Sequence, residues 1–163
     1  MTATSDPIVR PATFQDGQAL GRLGALLVAA HHQFDPRRFF APAEDTARGY
    51  GDFLVSQLGR TDAVILVIQR HDRVLGYGYA GIEGTDFMAL RGPAGVLYDL
   101  IVDPAGRGEG LGSILLAAML DALSARGVAQ IVLFAAQQNV AAQRLFARNG
   151  FRTTMVEMTR ERG

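Results

Sequence analysis

The apolar positions of this chain fall into two rhythms. Ile8-Val9-Arg10 is a short strand candidate closed by Pro11. From Asp16 to Ala30 the spacing changes: Leu20, Leu23, Leu26, Leu27 and Ala30 recur every three or four positions and predict a helix. Residues 31–42, with His31, His32, Pro36 and Pro42, read as loop or broken helix. Glu44 to Leu58 carries Ala47, Tyr50, Leu54 and Leu58 and predicts a second helix. Two apolar, β-branched runs follow, Ala63–Gln69 and Val74–Ile82, separated by His71-Asp72-Arg73, which predicts a hairpin. A polar, glycine-containing loop over 84–95 leads to a further strand, Val96–Val102, stopped by Asp103-Pro104. A third helix spans about 110–126 and stops at Gly127. A strand over Ile131–Ala135, a helix over Asn139–Arg148 ended by Asn149-Gly150, and a closing strand over Phe151–Thr159 complete the chain.

The order is β-α-α-β-β-β-α-β-α-β. Short connections make the three middle strands antiparallel, whereas 96–102 and 131–135 are joined through a helix and so run parallel. The predicted fold is therefore α/β (α+β), with a mixed, mostly antiparallel sheet of six to seven strands and helices on both faces. Its 163 residues suit a single domain, 1–163, on a prior of about 100–200 residues per domain.

Composition narrows the chemistry. The chain is 48% hydrophobic and 20% charged, with zero net charge, which gives no support for nucleic-acid binding. It holds no cysteine, so disulfides, thiolate metal sites and a cysteinyl acyl-enzyme are excluded. All sixteen basic residues are arginine, so there is no P-loop lysine and no Walker-type nucleotide hydrolase. Three histidines, two of them adjacent, give no metal-ligand spacing, and no metal is expected. Residues 1–7 lack the basic end and apolar stretch of a secretory signal. No apolar run approaches the roughly 20 residues of a membrane span, and a cytoplasmic protein is expected.

The most informative segment is Arg107-Gly108-Glu109-Gly110-Leu111-Gly112, between a strand and a helix. Free N–H groups and the helix dipole favour an anion at such a junction, and glycines let the backbone approach it. A dinucleotide fingerprint fits less well, because Ser113 stands where its third glycine belongs. Asp99, a carboxylate inside an apolar run, is a second unusual feature. It reads either as a hydrogen-bonded structural group or as a base or substrate anchor. Tyr98 and Asp99, as neighbours on a strand, are expected on opposite faces. Tyr79 and Glu83 end the preceding strand and could share a cleft with them.

The segment resembles the signature of the GNAT superfamily of N-acetyltransferases, Arg/Gln-x-x-Gly-x-Gly/Ala after the fourth strand, matched by Arg107, Gly110 and Gly112. The lead-in Leu100-Ile101-Val102-Asp103-Pro104, the opening Val9-Arg10-Pro11-Ala12-Thr13 and the late segment Asn139-x-x-Ala142-x-x-Leu145-Phe146-x-x-x-Gly150-Phe151 resemble other parts of that family. The resemblance implies transfer of an acetyl group from acetyl-CoA to an amine, with strands four and five splayed to admit the pantetheine arm. It implies that the CoA pyrophosphate lies on the N–H groups of Gly108, Glu109, Gly110, Leu111, Gly112 and Ser113, beside Arg107. It implies pairing of the pantetheine arm with the backbone of Leu100, Ile101 and Val102, and a contact from Asn139, which also suits a helix N-cap. An N–H at Leu100 or its neighbour would polarise the thioester carbonyl. Some polyamine-acetylating relatives carry a catalytic Glu at the position of Tyr98, followed by Asp at that of Asp99. Phe146 stands where many relatives carry a Tyr that protonates the departing thiolate, and Phe has no proton to give.

The implied partners are acetyl-CoA and an amine acceptor, with direct attack in a ternary complex, and a homodimer is possible. Residues of the 31–42 loop, among them His31, His32, Arg37, Arg38, Phe39 and Phe40, border the acceptor site in this family. The change at Phe146 keeps a second reading in play, a non-catalytic acyl-CoA-binding regulatory domain.

Overall fold

The two β-branched runs form the centre of the fold, and the elements around them follow from which face each run presents. In the computed structural model, which describes residues 5–163, the strands are β1 (Ile8–Pro11), β2 (Ala63–Arg70), β3 (Arg73–Glu83), β4 (Ala94–Val102) and β5 (Ile131–Leu133). The helices are α1 (Gly17–Phe34), α2 (Thr46–Gln57), α3 (Leu111–Ser124) and α4 (Val140–Arg148). Residues 1–4, part of the opening stretch read above as lacking a secretory signal, lie outside the described residues. The sheet order is β1-β2-β3-β4-β5, antiparallel except for the parallel β4–β5 pair. Among the described residues no helix is long and apolar enough to cross a membrane.

The sheet is buried on both faces. Val64, Leu66 and Ile68 of β2 face α3 and α4, where they meet Leu115, Leu116 and Met119. The alternating residues Ile65 and Val67 face α1 and α2, with Leu20, Leu23 and Leu54.

Helices α1 and α2 pack backbone to backbone. A methyl group on Gly21 would sit 2.1 Å from the carbonyl oxygen of Ala47, and one on Gly51 would sit 2.7 Å from that of Gly17. No side chain fits there, so the glycines fix how closely α2 lies on α1, and with it the height of Tyr50 above the sheet.

Three expectations need correction. The sheet has five strands rather than six to seven, because residues 151–159 form none. The apolar positions of that segment do not alternate, and Met155, Val156 and Met158 are all exposed, so no face is available to bury against a neighbour. The segment is held instead by ion pairs of Glu157 with Arg38 and Glu161 with Arg37. Strand β5 stops at Leu133 rather than Ala135. His31 and His32 belong to α1, which continues to Phe34, and not to a loop. Their imidazoles carry the helix end, with His31 Nδ1 at 2.9 Å from the Leu27 carbonyl and His32 Nδ1 at 2.8 Å from that of Phe39.

Gly21→Ala should force the helices apart and cost about 1–3 kcal/mol, as overpacking does. Gly49→Ala, in the same helix pair but with nothing within 4 Å of the added carbon, should gain a few tenths to about 1 kcal/mol. Denaturant titration of both variants checks the sign of each change.

Candidate active site

Strand β4 carries both ends of the site. Its register with β3 shifts between Tyr79 and Ala80, which face Asp99 and Leu97, so Tyr98 is an extra residue bulged out of the ladder. Leu97 stays on the α3 face, packed with Leu116 and Met119. Tyr98 and Asp99 together line a cleft with Tyr50, Phe53 and Tyr79. The expectation that these neighbours face opposite sides is therefore wrong, because strict alternation fails at a bulge. Pairing of β4 with β5 ends at Leu97 and Leu133, so from the bulge onward the two strands part, as the expected splay requires.

Asp99 is the buried acid of this cleft, 8% exposed. The hydroxyls of Tyr50 and Tyr77 both donate to its Oδ2, at 2.7 and 2.8 Å. Its Oδ1 accepts no hydrogen bond from the described residues, and no arginine reaches the carboxylate. Burial pushes the carboxyl pKa up, against the two tyrosine hydrogen bonds and the charge of His31, which pull it down. The same environment raises both tyrosine hydroxyls, through desolvation first and then the adjacent carboxylate. The walls are aromatic: Tyr79 lies 5.0 Å from Tyr98 and 5.9 Å from Phe53, ring centre to ring centre. At the rim the Tyr98 hydroxyl donates to Glu83, which is itself paired with Arg91 at 2.6 Å.

At the far end of β4 the loop before α3 is pinned by Asp103. Its carboxylate accepts from the Ala105 N–H at 2.9 Å and pairs with Arg22 of α1 at 2.6 Å and Arg73 of β3 at 3.3 Å. The backbone hydrogen bond, then the arginines, hold its pKa below the ordinary carboxylate value. Gly108 and Gly110 follow with φ of +81° and +74°, a region that disfavours a side chain, and a carbon added to either would project into open space. Leu111 then plugs the helix start into the core beside Ile68 and Leu75, while Arg107, Gly108, Glu109, Gly110 and Ser113 remain exposed. The loop thus has room over its N–H groups, which suits a phosphate group there.

The remaining sequence-derived residues divide by face. Leu100 and Val102 pack towards α3, and Ile101 towards α1. The Asn139 side chain accepts from the Ala142 N–H at 3.2 Å, an N-cap to α4. Phe146 is buried with Leu97, Leu116 and Met119 and meets Phe151 edge-on at 5.9 Å. Sequence reasoning did not single out Tyr50 and Tyr77 as partners of Asp99. They lie 49 and 22 residues away, and only the hydroxyl they share with other tyrosines hinted at a polar role. Among the described residues no cluster of three or more His, Asp or Glu side chains could hold a metal ion.

Asp99 of β4 and Asp103, just beyond the end of that strand, should titrate with opposite sign. Asp103, with its pKa depressed by folding, stabilises the fold above its unfolded value and loses that contribution as pH falls through the folded one. Asp103→Ala should cost about 1–3 kcal/mol at neutral pH, a difference that shrinks below about pH 3.9. Asp99, with its pKa raised, contributes stability only in acid and loses it as pH rises. Asp99→Asn should therefore melt higher than the wild type at neutral pH, with the gap closing in acid. Thermal midpoints across a pH series test both.

A family model described as the Acetyltransferase (GNAT) family matches residues 26–151. A mycothiol acetyltransferase of Streptosporangium roseum is 36% identical over 128 residues, covering 72% of this chain and 38% of the relative. Another, of Thermobispora bispora, is 40% identical over 80 residues, 49% of this chain and 25% of the relative. The chain thus spans well under half the length of these curated relatives. Among solved structures, a mutant of the BH1408 protein from Bacillus halodurans shares the fold with a TM-score of 0.80 at 22% identity, covering 94% of this chain and 98% of that one. The aminoglycoside N-acetyltransferase AAC(6')-Iy in complex with CoA shares it with a TM-score of 0.71 at 17% identity, covering 100% and 99%. The matched stretch runs from the second half of α1 through the bulged strand, the glycine loop and α4, and this chain belongs to the GNAT acetyltransferase family.

Proposed function

We propose that this chain is an acetyl-CoA-dependent N-acetyltransferase that moves an acetyl group to a primary amine of a small molecule or peptide by direct attack. The observation that carries the reading is Asp99, a buried carboxylate with one oxygen held by two tyrosines and the other free, in an aromatic cleft where β4 leaves β5. Family membership supports the class of reaction, and the name of the 36%-identical relative supports acetyl as the group moved.

In this reading the loop over 107–113 holds the pyrophosphate. Gly108 and Gly110 leave space for it, and Asn139 and the β4 backbone over Leu100–Val102 line the pantetheine arm. Bound acetyl-CoA supplies an activated thioester. The cleft beside Asp99, about 310 Å³, is at the small end of the roughly 300–1,000 Å³ range of ligand sites and suits the amine-bearing end of an acceptor. The faces of Phe53, Tyr79 and Tyr98 attract an ammonium. Asp99 then takes the proton that makes the amine nucleophilic, a task suited to a carboxyl whose pKa burial has raised. The amine nitrogen bonds to the carbonyl carbon and the carbon–sulfur bond breaks. An N–H at Leu100 or its neighbour stabilises the carbonyl oxygen in between. Phe146 gives no proton, so the thiolate is protonated from solvent, which its low basicity permits.

Gly110→Glu should abolish acetyl-CoA binding, by placing bulk and charge in the loop, and calorimetric titration of the folded variant measures this. With an amine found by screening polyamines, amino acids, aminoglycosides and peptide N-termini, Asp99→Asn should lower turnover about 10²–10⁴-fold where Asp99 is ionised and the amine is charged, with the gap closing as pH falls through the Asp99 pKa or rises through that of the amine. Equal loss at every pH assigns Asp99 a structural role. Tight acetyl-CoA binding without CoA release on any amine would replace this reading with a non-catalytic acyl-CoA-binding domain.

A further inference from the structure

Glu109 is the acidic side chain between Arg107 and Ser113, in the loop assigned above to two phosphates. Left free, it would repel them. Its carboxylate is instead held by Arg70, the last residue of β2, with Arg70 Nη2 at 2.6 Å from Glu109 Oε2. The Arg70 side chain is only 20% exposed, and its Nε is buried with no hydrogen-bond partner among the described residues. Arg70 and Glu109 together line a cleft of about 530 Å³ with His71, Arg73, Ala105 and Gly106, under the outer side of the loop. The neighbouring cation of that hairpin, Arg73, is committed to Asp103 at 3.3 Å.

This arrangement is a poor way to gain stability. A half-exposed ion pair contributes little, and an unpartnered buried donor works against folding. Its electrostatic effect is larger: it cancels a negative charge beside an anion site and keeps that carboxylate on the sheet side of the loop.

We propose that Arg70 is a positioning residue of the donor site, which neutralises Glu109 and holds it aside so that the pyrophosphate can settle on the N–H groups of 108–113. The inference rests on the acyl-CoA reading above. It places a determinant of donor affinity on β2, outside the glycine loop and outside the short sequence motifs that resemble the family.

The test is a double-mutant cycle read by calorimetric titration with acetyl-CoA. Arg70→Met should weaken binding about tenfold, equivalent to about 1.4 kcal/mol, and the loss should be larger at low salt. Arg70→Gln repeats the measurement with a side chain that keeps more of the polar stem. Glu109→Gln, which removes the acid and leaves the Arg70 charge uncancelled beside the loop, should bind more tightly than the wild type. The double variant Arg70→Met/Glu109→Gln should return to within about threefold of the wild type, because no charge remains to be cancelled. Unchanged affinity in Arg70→Met and Arg70→Gln overturns the proposal. Equal weakness in the single and double variants also overturns it, since Arg70 would then act by a contact of its own or through the fold. A wild type that fails to bind acetyl-CoA overturns the donor reading itself, and this inference with it.

Discussion

The site depends on the way β4 is paired. The strand is hydrogen-bonded to β3 along its length but to β5 only over Gly95–Leu97, and at the point where the second partner is lost it carries one residue too many. The bulge at Tyr98 turns Asp99 away from α3 and towards α1 and α2, where Tyr50 and Tyr77 can reach it. It also marks where the sheet opens. The cleft beside Asp99, the opened edge and the glycine loop therefore follow one another along a single strand, and their separation is set by backbone spacing.

The charges along this strand are treated in opposite ways at its two ends. Asp103 is surrounded by an N–H and two arginines, so it stays ionised and works as an anchor for the loop. Asp99 is given hydroxyl donors and no arginine, so its charge is tolerated but not compensated. A carboxylate in that condition favours a cation that comes from elsewhere. The loop end follows the complementary logic, with its single acid tied to Arg70.

Much of the architecture was legible in the chain. The change of rhythm from Leu20–Leu27 to Ala63–Gln69 located helix and strand, and the glycines at 108, 110 and 112 between strand and helix located the loop. Asp99 stood out as a charge in an apolar run. The bulge was not legible, because a register shift is a property of a pair of strands and neither Tyr98 nor Tyr79 marks it locally. Nor were the partners of Asp99 and Glu109, which come from distant elements. Phe151–Thr159 shows the opposite failure: a segment read as a strand forms none, and Met155, Val156 and Met158 stay exposed.

The contact between Gly21 and Ala47, and between Gly51 and Gly17, has a consequence for how such a protein can change. Tyr50 and Phe53 reach the cleft from a helix held to its partner by main-chain contact at these glycines and by the Tyr50 ring seated on Gly24. The half-exposed Phe53 of α2 and Tyr98 at the cleft rim can therefore be exchanged without loosening the helix pair, the strand or the glycine loop. Scaffold and selectivity are carried by separate atoms. Such a division lets descendants of one sequence vary the lining of the cleft beside Asp99 while the glycine loop at the far end of β4 stays intact.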